Sequence, residues 1–190
     1  MSINARVAFG PEQIQARVEE LGAELTGTFE SDRPLLVGVL NGSVIFLADL
    51  VRNLGLDADI DFLALSSYSG ESGGVVRITK DLEFAIEGRE VLLVEDIVDT
   101  GLTLSFLMRT LRDRSPGSLK VCTMIDKPSW RIALPEVAHV GFSTEEFVVG
   151  YGLDFKGKYR NLPFLVAVDN PSDLAEKPDS LEHFLGLIGG

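Results

Sequence analysis

Residues 91–104 read V-L-L-V-E-D-I-V-D-T-G-L-T-L. The apolar run 91–94 has the length and composition of a strand buried on both faces of a parallel sheet. Two adjacent acids, Glu95 and Asp96, stand directly at its carboxyl end, and Asp99 follows shortly after. Thr100, Gly101 and Thr103, with Leu102 between them, form a short polar loop that opens a helical run over 104–111. Ligands of open α/β sheets bind in the crevice at the carboxyl ends of the strands. A loop that turns backbone N–H groups and hydroxyls outward at the positive end of a helix suits a phosphate. The neighbouring acids suit sugar hydroxyls or a metal. Together on one strand end, these features predict a site for a ribose phosphate.

Working outward, Ile14, Val18, Leu21 and Leu25 recur at helical spacing and predict an amphipathic helix over 11–25. Residues 35–40 form a short buried strand, with Ser43 as the cap of an apolar helix over 44–54. A second strand spans 59–65. The stretch 66–74 is too polar and glycine-rich to pack, and 75–79 reads as a β-ribbon returning from it. Further strands are expected at 119–126 and 163–168, with a less regular segment from 127 to about 146 and a short terminal helix over 181–188. Strands alternating with helices predict an α/β fold with a parallel sheet and crossover helices. At 190 residues the chain is expected to be one domain, 1–190, with no internal repeat.

Seventeen basic side chains face 29 acidic ones, a formal net charge of −12. That balance disfavours a general nucleic-acid binder, whose affinity depends on neutralising phosphates. No apolar stretch approaches the roughly 20 residues of a membrane helix. The first ten residues lack the order of a secretory signal. The single cysteine, Cys122, lies in an apolar run and cannot form an internal disulfide. A cytoplasmic protein with no membrane contact is the expectation.

The central motif resembles the phosphoribosyl pyrophosphate (PRPP) motif of the type I phosphoribosyltransferases. Four further segments, in order, narrow the resemblance to the hypoxanthine (hypoxanthine-guanine) branch: L-N-G-S at 40–43, S-S-Y at 66–68, D-K-P at 126–128, and F-V-V-G-Y-G-L-D at 147–154 with Arg160 beyond. It extends from about Gly38 to Asp169. The resemblance implies the type I fold, a central parallel sheet flanked by helices, with a small hood built from N- and C-terminal segments. It implies a magnesium-dependent purine-salvage enzyme that moves the 5-phosphoribosyl group of PRPP to a 6-oxopurine, hypoxanthine and also guanine. IMP or GMP and pyrophosphate would be the products. The implied assembly is a homodimer or homotetramer.

Positive charge develops on the ribose and negative charge on the leaving pyrophosphate, so a cation and basic side chains are needed at the second. Thr100, Gly101, Leu102 and Thr103 are expected to bind the 5′-phosphate, and Glu95 and Asp96 the ribose hydroxyls. Alone, an acid pair reads as a solvated turn; an apolar strand before it and a phosphate-type loop after it reverse that reading. Asp99, between the pair and the loop, is assigned as the general base for the imidazole-ring proton of the purine, with a helix N-cap as the plain alternative. By resemblance, Lys127 donates to the exocyclic oxygen of the base and so rejects adenine, whose amino group would leave a buried donor unpaired. Phe147 and Val148 stack on the base and bind its edge, and Asp154 lies beside the base. Glu95, Asp96 and Asp154 are the expected magnesium contacts. Leu40, Asn41, Gly42 and Arg160 receive pyrophosphate, the first two through a cis peptide. Ser67 and Tyr68 mark a mobile loop over 66–74 that excludes water on closing.

This chain departs from the family pattern at Asn41, where a basic residue is usual, and at Glu146, where lysine is frequent. His139 reads as a partly buried strand residue, and Trp130 as a packing residue rather than a border of the base pocket. Lys80 and Asp81 have no expected role. Two rivals remain. A transferase preferring xanthine or another base would differ only around Lys127, Glu146 and Val148. A PRPP- or nucleotide-sensing regulator that binds RNA would need a basic face, which the net charge opposes.

Overall fold

The computed structural model describes residues 3–30, 33–68 and 75–188. Its elements are β1 (Ala5–Phe9), α1 (Pro11–Thr26), β2 (Leu35–Leu40), α2 (Val44–Arg52), β3 (Asp59–Tyr68), β4 (Val75–Lys80), β5 (Glu90–Val98), α3 (Leu102–Arg112), β6 (Ser118–Asp126), β7 (His139–Ser143), β8 (Phe147–Val149), β9 (Leu165–Val168) and α4 (Pro171–Glu176). Single 3-10 stretches occupy Pro128–Trp130 and Glu182–Leu187.

The main sheet has the order β4-β3-β2-β5-β6-β7. All its neighbours are parallel except β3 and β4. Alternate residues of the central strands serve opposite faces, as a pleated strand requires. Leu36, Leu92, Val94 and Cys122 pack with α1 and α2. Leu35, Val37, Val91, Leu93 and Val121 pack with α3. Apolar runs in β2 and β5 follow from this: both faces of each strand are covered. α1 starts at a proline, where the missing N–H costs nothing, and Gln13 accepts the Gly10 N–H at 2.9 Å. It buries the stripe Ile14, Val18, Leu21 and Leu25. A second sheet, β1-β9-β8, is antiparallel and draws on both ends of the chain. One face shares the α1/α2 core through Val148, Leu165 and Ala167; the other packs on Leu174, Leu181 and Phe184.

Several expectations need correction. β5 does not end at Val94 but runs on to Val98, so Glu95 and Asp96 lie within it. Its pairing with β2 stops at Gly38↔Val94, whereas pairing with β6 continues to Val98↔Asp126. The acids are therefore held on one side and open on the other. α3 begins at Leu102, which places Leu102 and Thr103 in its first turn rather than in a loop. Ser43 does not cap α2 with its side chain; its hydroxyl donates back to Val39 O at 2.8 Å. β3 runs through Ser66–Tyr68 and pairs with β4, so the polar stretch begins later than expected. Its remainder, 69–74, lies outside the described residues, as do the side chains of Ser67 and Tyr68. The segment read as irregular contains β7, and β1 and α4 were not foreseen. The terminal helix is a 3-10 stretch.

Candidate active site

β2 is flanked by β3 on one side and β5 on the other, and α2 and α3 cover opposite faces. The winding of the sheet therefore reverses between β2 and β5, which opens a crevice beyond their carboxyl ends. Residues 40–42 leave β2 there, and residues 99–101 leave β5 into α3.

A cavity of about 220 Å³ is lined by Glu95, Asp96, Asp99, Gly101, Thr103 and Leu104, among others. Gly101 makes the turn into α3 with φ +76°, and a Cβ there would lie 2.5 Å from Ala133 O. Glycine is required on both counts. No side chain caps α3 and its first turn holds no acid, so the helix dipole is unopposed where the cavity opens. Thr100 is anchored the other way, its carbonyl accepting N–H groups of Ile132 and Ala133 at 2.9 and 3.0 Å. Leu102 is exposed.

Glu95 is buried, and burial pushes its carboxyl well above the usual carboxylate range, with Asp96 beside it adding repulsion. Asp96 is pushed up to about 6 by burial and by Asp154; the Ile97 N–H and the charge of Arg160 pull the other way. The loop after β2 closes on this carboxylate: a Cβ on Gly42 would lie 1.4 Å from Asp96 Oδ2. Gly152, φ +96°, closes on the same loop, its added Cβ falling 2.1 Å from Gly42 O. The Leu40–Asn41 peptide is cis. Arg160 pairs with Asp154 at 2.6 Å and donates to Gly152 O at 2.6 Å. Asp154 also accepts the Gly157 N–H at 2.7 Å. Residues 40–42, Asp96, Gly152, Asp154 and Arg160 thus form one cluster.

Among the described residues, no three histidine, cysteine or acidic side chains converge as a metal cage. Magnesium rarely needs one: it keeps waters and takes one or two carboxylates together with substrate phosphates. Glu95 and Asp96, which line one cavity and resist ionising together, offer hard oxygens that fit such an ion.

A second cavity, about 470 Å³, is lined by Asp99, Lys127, Trp130, Glu145, Phe147 and Asp169, with neighbours including Glu146, Val168 and Pro171. Lys127 is 7% exposed. Burial lowers its pKa, while Asp99 and Glu145 oppose that shift. Asp99 is common to both cavities. It is not the N-cap of α3, which is Gly101; its carboxylate accepts the N–H of Thr100. A larger cavity of about 560 Å³ lies between α1 and α2, outside this crevice.

The expected site residues thus fall into three adjoining groups. Glu95, Asp96, Asp99, Gly101 and Thr103 line the smaller cavity, with Thr100 and Leu102 in the same turn. Gly42, Asp154 and Arg160 stand around Asp96, with Leu40 and Asn41 in the loop that leads to Gly42. Lys127 and Phe147 line the cavity of about 470 Å³. Val148 is buried in the α1/α2 core, and neither it nor Asp154 lines the Lys127 cavity. Trp130 does line it, against the packing expectation. Glu145 and Asp169 were also missed; nothing local distinguishes them, because β6–β7 pairing brings Glu145 to the Lys127 turn and β8–β9 pairing brings Asp169 alongside. Glu146 is held by Arg6 of β1 at 2.7 and 2.8 Å. His139 is a β7 residue 3.4 Å from Glu24. Asp81 is paired with Arg114 at 2.8 Å, and Lys80 lies 3.5 Å from Asp61.

Residues 11–156 match the family model of the phosphoribosyl transferase domain. Fold and crevice therefore define a phosphoribosyltransferase of the type I class. The solved hypoxanthine-guanine phosphoribosyltransferase of Bacillus anthracis superposes with a TM-score of 0.82 at 42% identity, covering 87% of this chain and 99% of that one. The Bacillus subtilis hypoxanthine-guanine phosphoribosyltransferase is 46% identical over 163 residues, 84% of this chain and 91% of its own length. The Mycobacterium tuberculosis enzyme of the same name is 49% identical over 168 residues, 83% of each chain. The chain belongs to the hypoxanthine-guanine phosphoribosyltransferase family.

Proposed function

We propose that this protein transfers the 5-phosphoribosyl group of PRPP to hypoxanthine, and also to guanine, giving IMP or GMP and pyrophosphate in purine salvage. The observation that carries the reading is the position of Asp99, the shared wall of a phosphate-type cavity and a cavity floored by a buried lysine. A base bound by Lys127 and a sugar bound by Glu95 and Asp96 would meet at this carboxylate.

Each group of residues has one task. The N-terminal turn of α3, with Thr100, Gly101, Leu102 and Thr103, receives the 5′-phosphate on its N–H groups and hydroxyls. Glu95 and Asp96 accept from the ribose hydroxyls. Lys127 donates to the 6-oxo oxygen, Phe147 stacks on the ring, and the backbone at Val148 reads its edge. Asp99 accepts the imidazole proton as the ring nitrogen bonds to the anomeric carbon and the bond to pyrophosphate breaks. Backbone N–H groups of 40–42 and the Arg160 guanidinium receive the departing charge. Arg160 is held by Asp154 before substrate arrives, and anionic pyrophosphate would compete for it. Glu95, Asp96 and Asp154 would hold magnesium, which would supply charge neutralisation at the leaving group.

The chain forms a single domain, 1–190, in which the β1-β9-β8 sheet is the hood over the base. The protein acts in the cytoplasm as a homodimer or homotetramer; among the described residues no helix is long and apolar enough to cross a membrane.

The test is nucleotide formation from PRPP with hypoxanthine, guanine, xanthine and adenine, with magnesium and with chelator. Turnover of 6-oxopurines that needs magnesium and excludes adenine is expected. A folded protein that binds PRPP but turns over no purine would sink the proposal.

A further inference from the structure

One wall of the Lys127 cavity has no part in the scheme above. Trp130, the sole tryptophan of the chain, is 56% exposed and lines this cavity with Lys127, Phe147 and Asp99. It belongs to none of the three apolar clusters, so packing does not explain where the ring sits. Backbone bonds place it instead. Lys127 N donates to Val98 O at 2.9 Å, at the end of β5, and Trp130 N donates to Lys127 O at 3.1 Å. Ser129 N donates to Glu145 Oε1 at 3.1 Å, which ties the turn to the segment leading into β8.

The Lys127 ammonium lies 5.4 Å from the centroid of the Trp130 ring and 6.0 Å from that of Phe147. Both distances fall within the cation–π range. Any ligand atom bound by this ammonium is therefore within reach of two aromatic rings supplied by different elements. A large aromatic left in water beside a cavity keeps apolar surface that a flat ligand would cover.

Resting on the reading of this cavity as the purine site, we propose that Trp130 is a base-binding residue: a second aromatic wall that, with Phe147, holds a flat heteroaromatic base against Lys127. Base–aromatic stacking tolerates different bases because each presents a π face. Such a wall would serve hypoxanthine and guanine alike and leave the choice of the 6-oxo group to Lys127.

The ring reports on itself, since all tryptophan emission of the wild-type protein comes from Trp130. Titration with IMP is expected to quench or shift that emission saturably. Trp130→Ala should raise the KM for hypoxanthine on the order of tenfold, with the KM for PRPP changed by less than about twofold. Trp130→Phe should recover most of the loss. Exposure of the ring means that neither substitution opens the core. An unchanged KM for hypoxanthine in Trp130→Ala, or emission indifferent to saturating IMP, overturns the assignment while wild-type turnover still stands. A wild type that turns over no 6-oxopurine removes the purine reading and this assignment with it.

Discussion

Asp99 and Gly42 show how narrowly single residues are specified in this crevice. An asparagine at 99 keeps an oxygen that can accept the Thr100 N–H, so the local turn survives; what it loses is the ability to take a proton. Asp99→Asn is expected to lower kcat by roughly 10²–10⁴-fold, with an unchanged circular dichroism spectrum and melting temperature. Equal kcat in the two proteins would remove Asp99 as the base. Gly42 is fixed by space rather than by chemistry. A methyl group there falls on the Asp96 carboxylate, so either the loop after β2 or the acid must move. Displacements near 1 Å cost on the order of a hundredfold. Gly42→Ala should therefore lower kcat/KM for PRPP by about that factor, and near wild-type kinetics would show that the loop adapts freely. The glycine of L-N-G-S is plain in the sequence; that it abuts an acid more than fifty positions away is visible only in the fold.

At the scale of elements, α3 ties the core to the smaller cavity, because its buried face anchors the helix whose first turn lines that cavity. Leu104, Leu107, Met108 and Leu111 pack against β2, β5 and β6. Leu107 is fully buried, and Leu107→Ala should cost about 2–5 kcal/mol of unfolding free energy in urea titrations. A loss under about 1 kcal/mol would mean that α3 repacks around the void. The helix itself was legible from its apolar spacing, but its start was not. The polar residues before Leu104 suggested a loop, whereas a left-handed Gly101 seated under Ala133 begins the helix at Leu102. The end of β5 is obscured for a similar reason. Charged residues end a strand in a pattern reading, yet one-sided pairing with β6 carries this strand through Glu95 and Asp96. β1 and β8 were hard to see because short strands of a small sheet gain their stability from partners at the other end of the chain.

For the whole molecule, Asp61 ties stability to pH at a distance from the crevice. It is buried on β3 and accepts N–H groups of Phe62, Glu83 and Phe84 at 2.7, 2.7 and 3.0 Å. Burial alone would raise its pKa; these bonds and the Lys80 charge outweigh that and hold it below the usual range. A carboxyl with a lowered folded-state pKa stabilises the protein above its unfolded value, about 3.9. That contribution is lost as pH falls through the folded-state pKa. Wild-type urea midpoints should therefore drop on acidification below about pH 4. Asp61→Asn should be less stable than wild type near neutrality and show a flatter acid limb. Parallel acid limbs in the two proteins would discount Asp61 as a source of the dependence.

Legible along the chain are the class of fold, the central strand and its acids, the phosphate-type turn, and the ordered motifs that mark the family. These are contiguous, and their chemistry depends on neighbours along the chain. Tertiary structure alone decided which segments meet: the loop after β2 against Asp96, Gly152 against Gly42, and Trp130 and Glu145 around a buried Lys127. Such contacts join residues far apart in sequence, and they are set by the reversal in sheet winding and the pairing of chain ends. No local pattern encodes either.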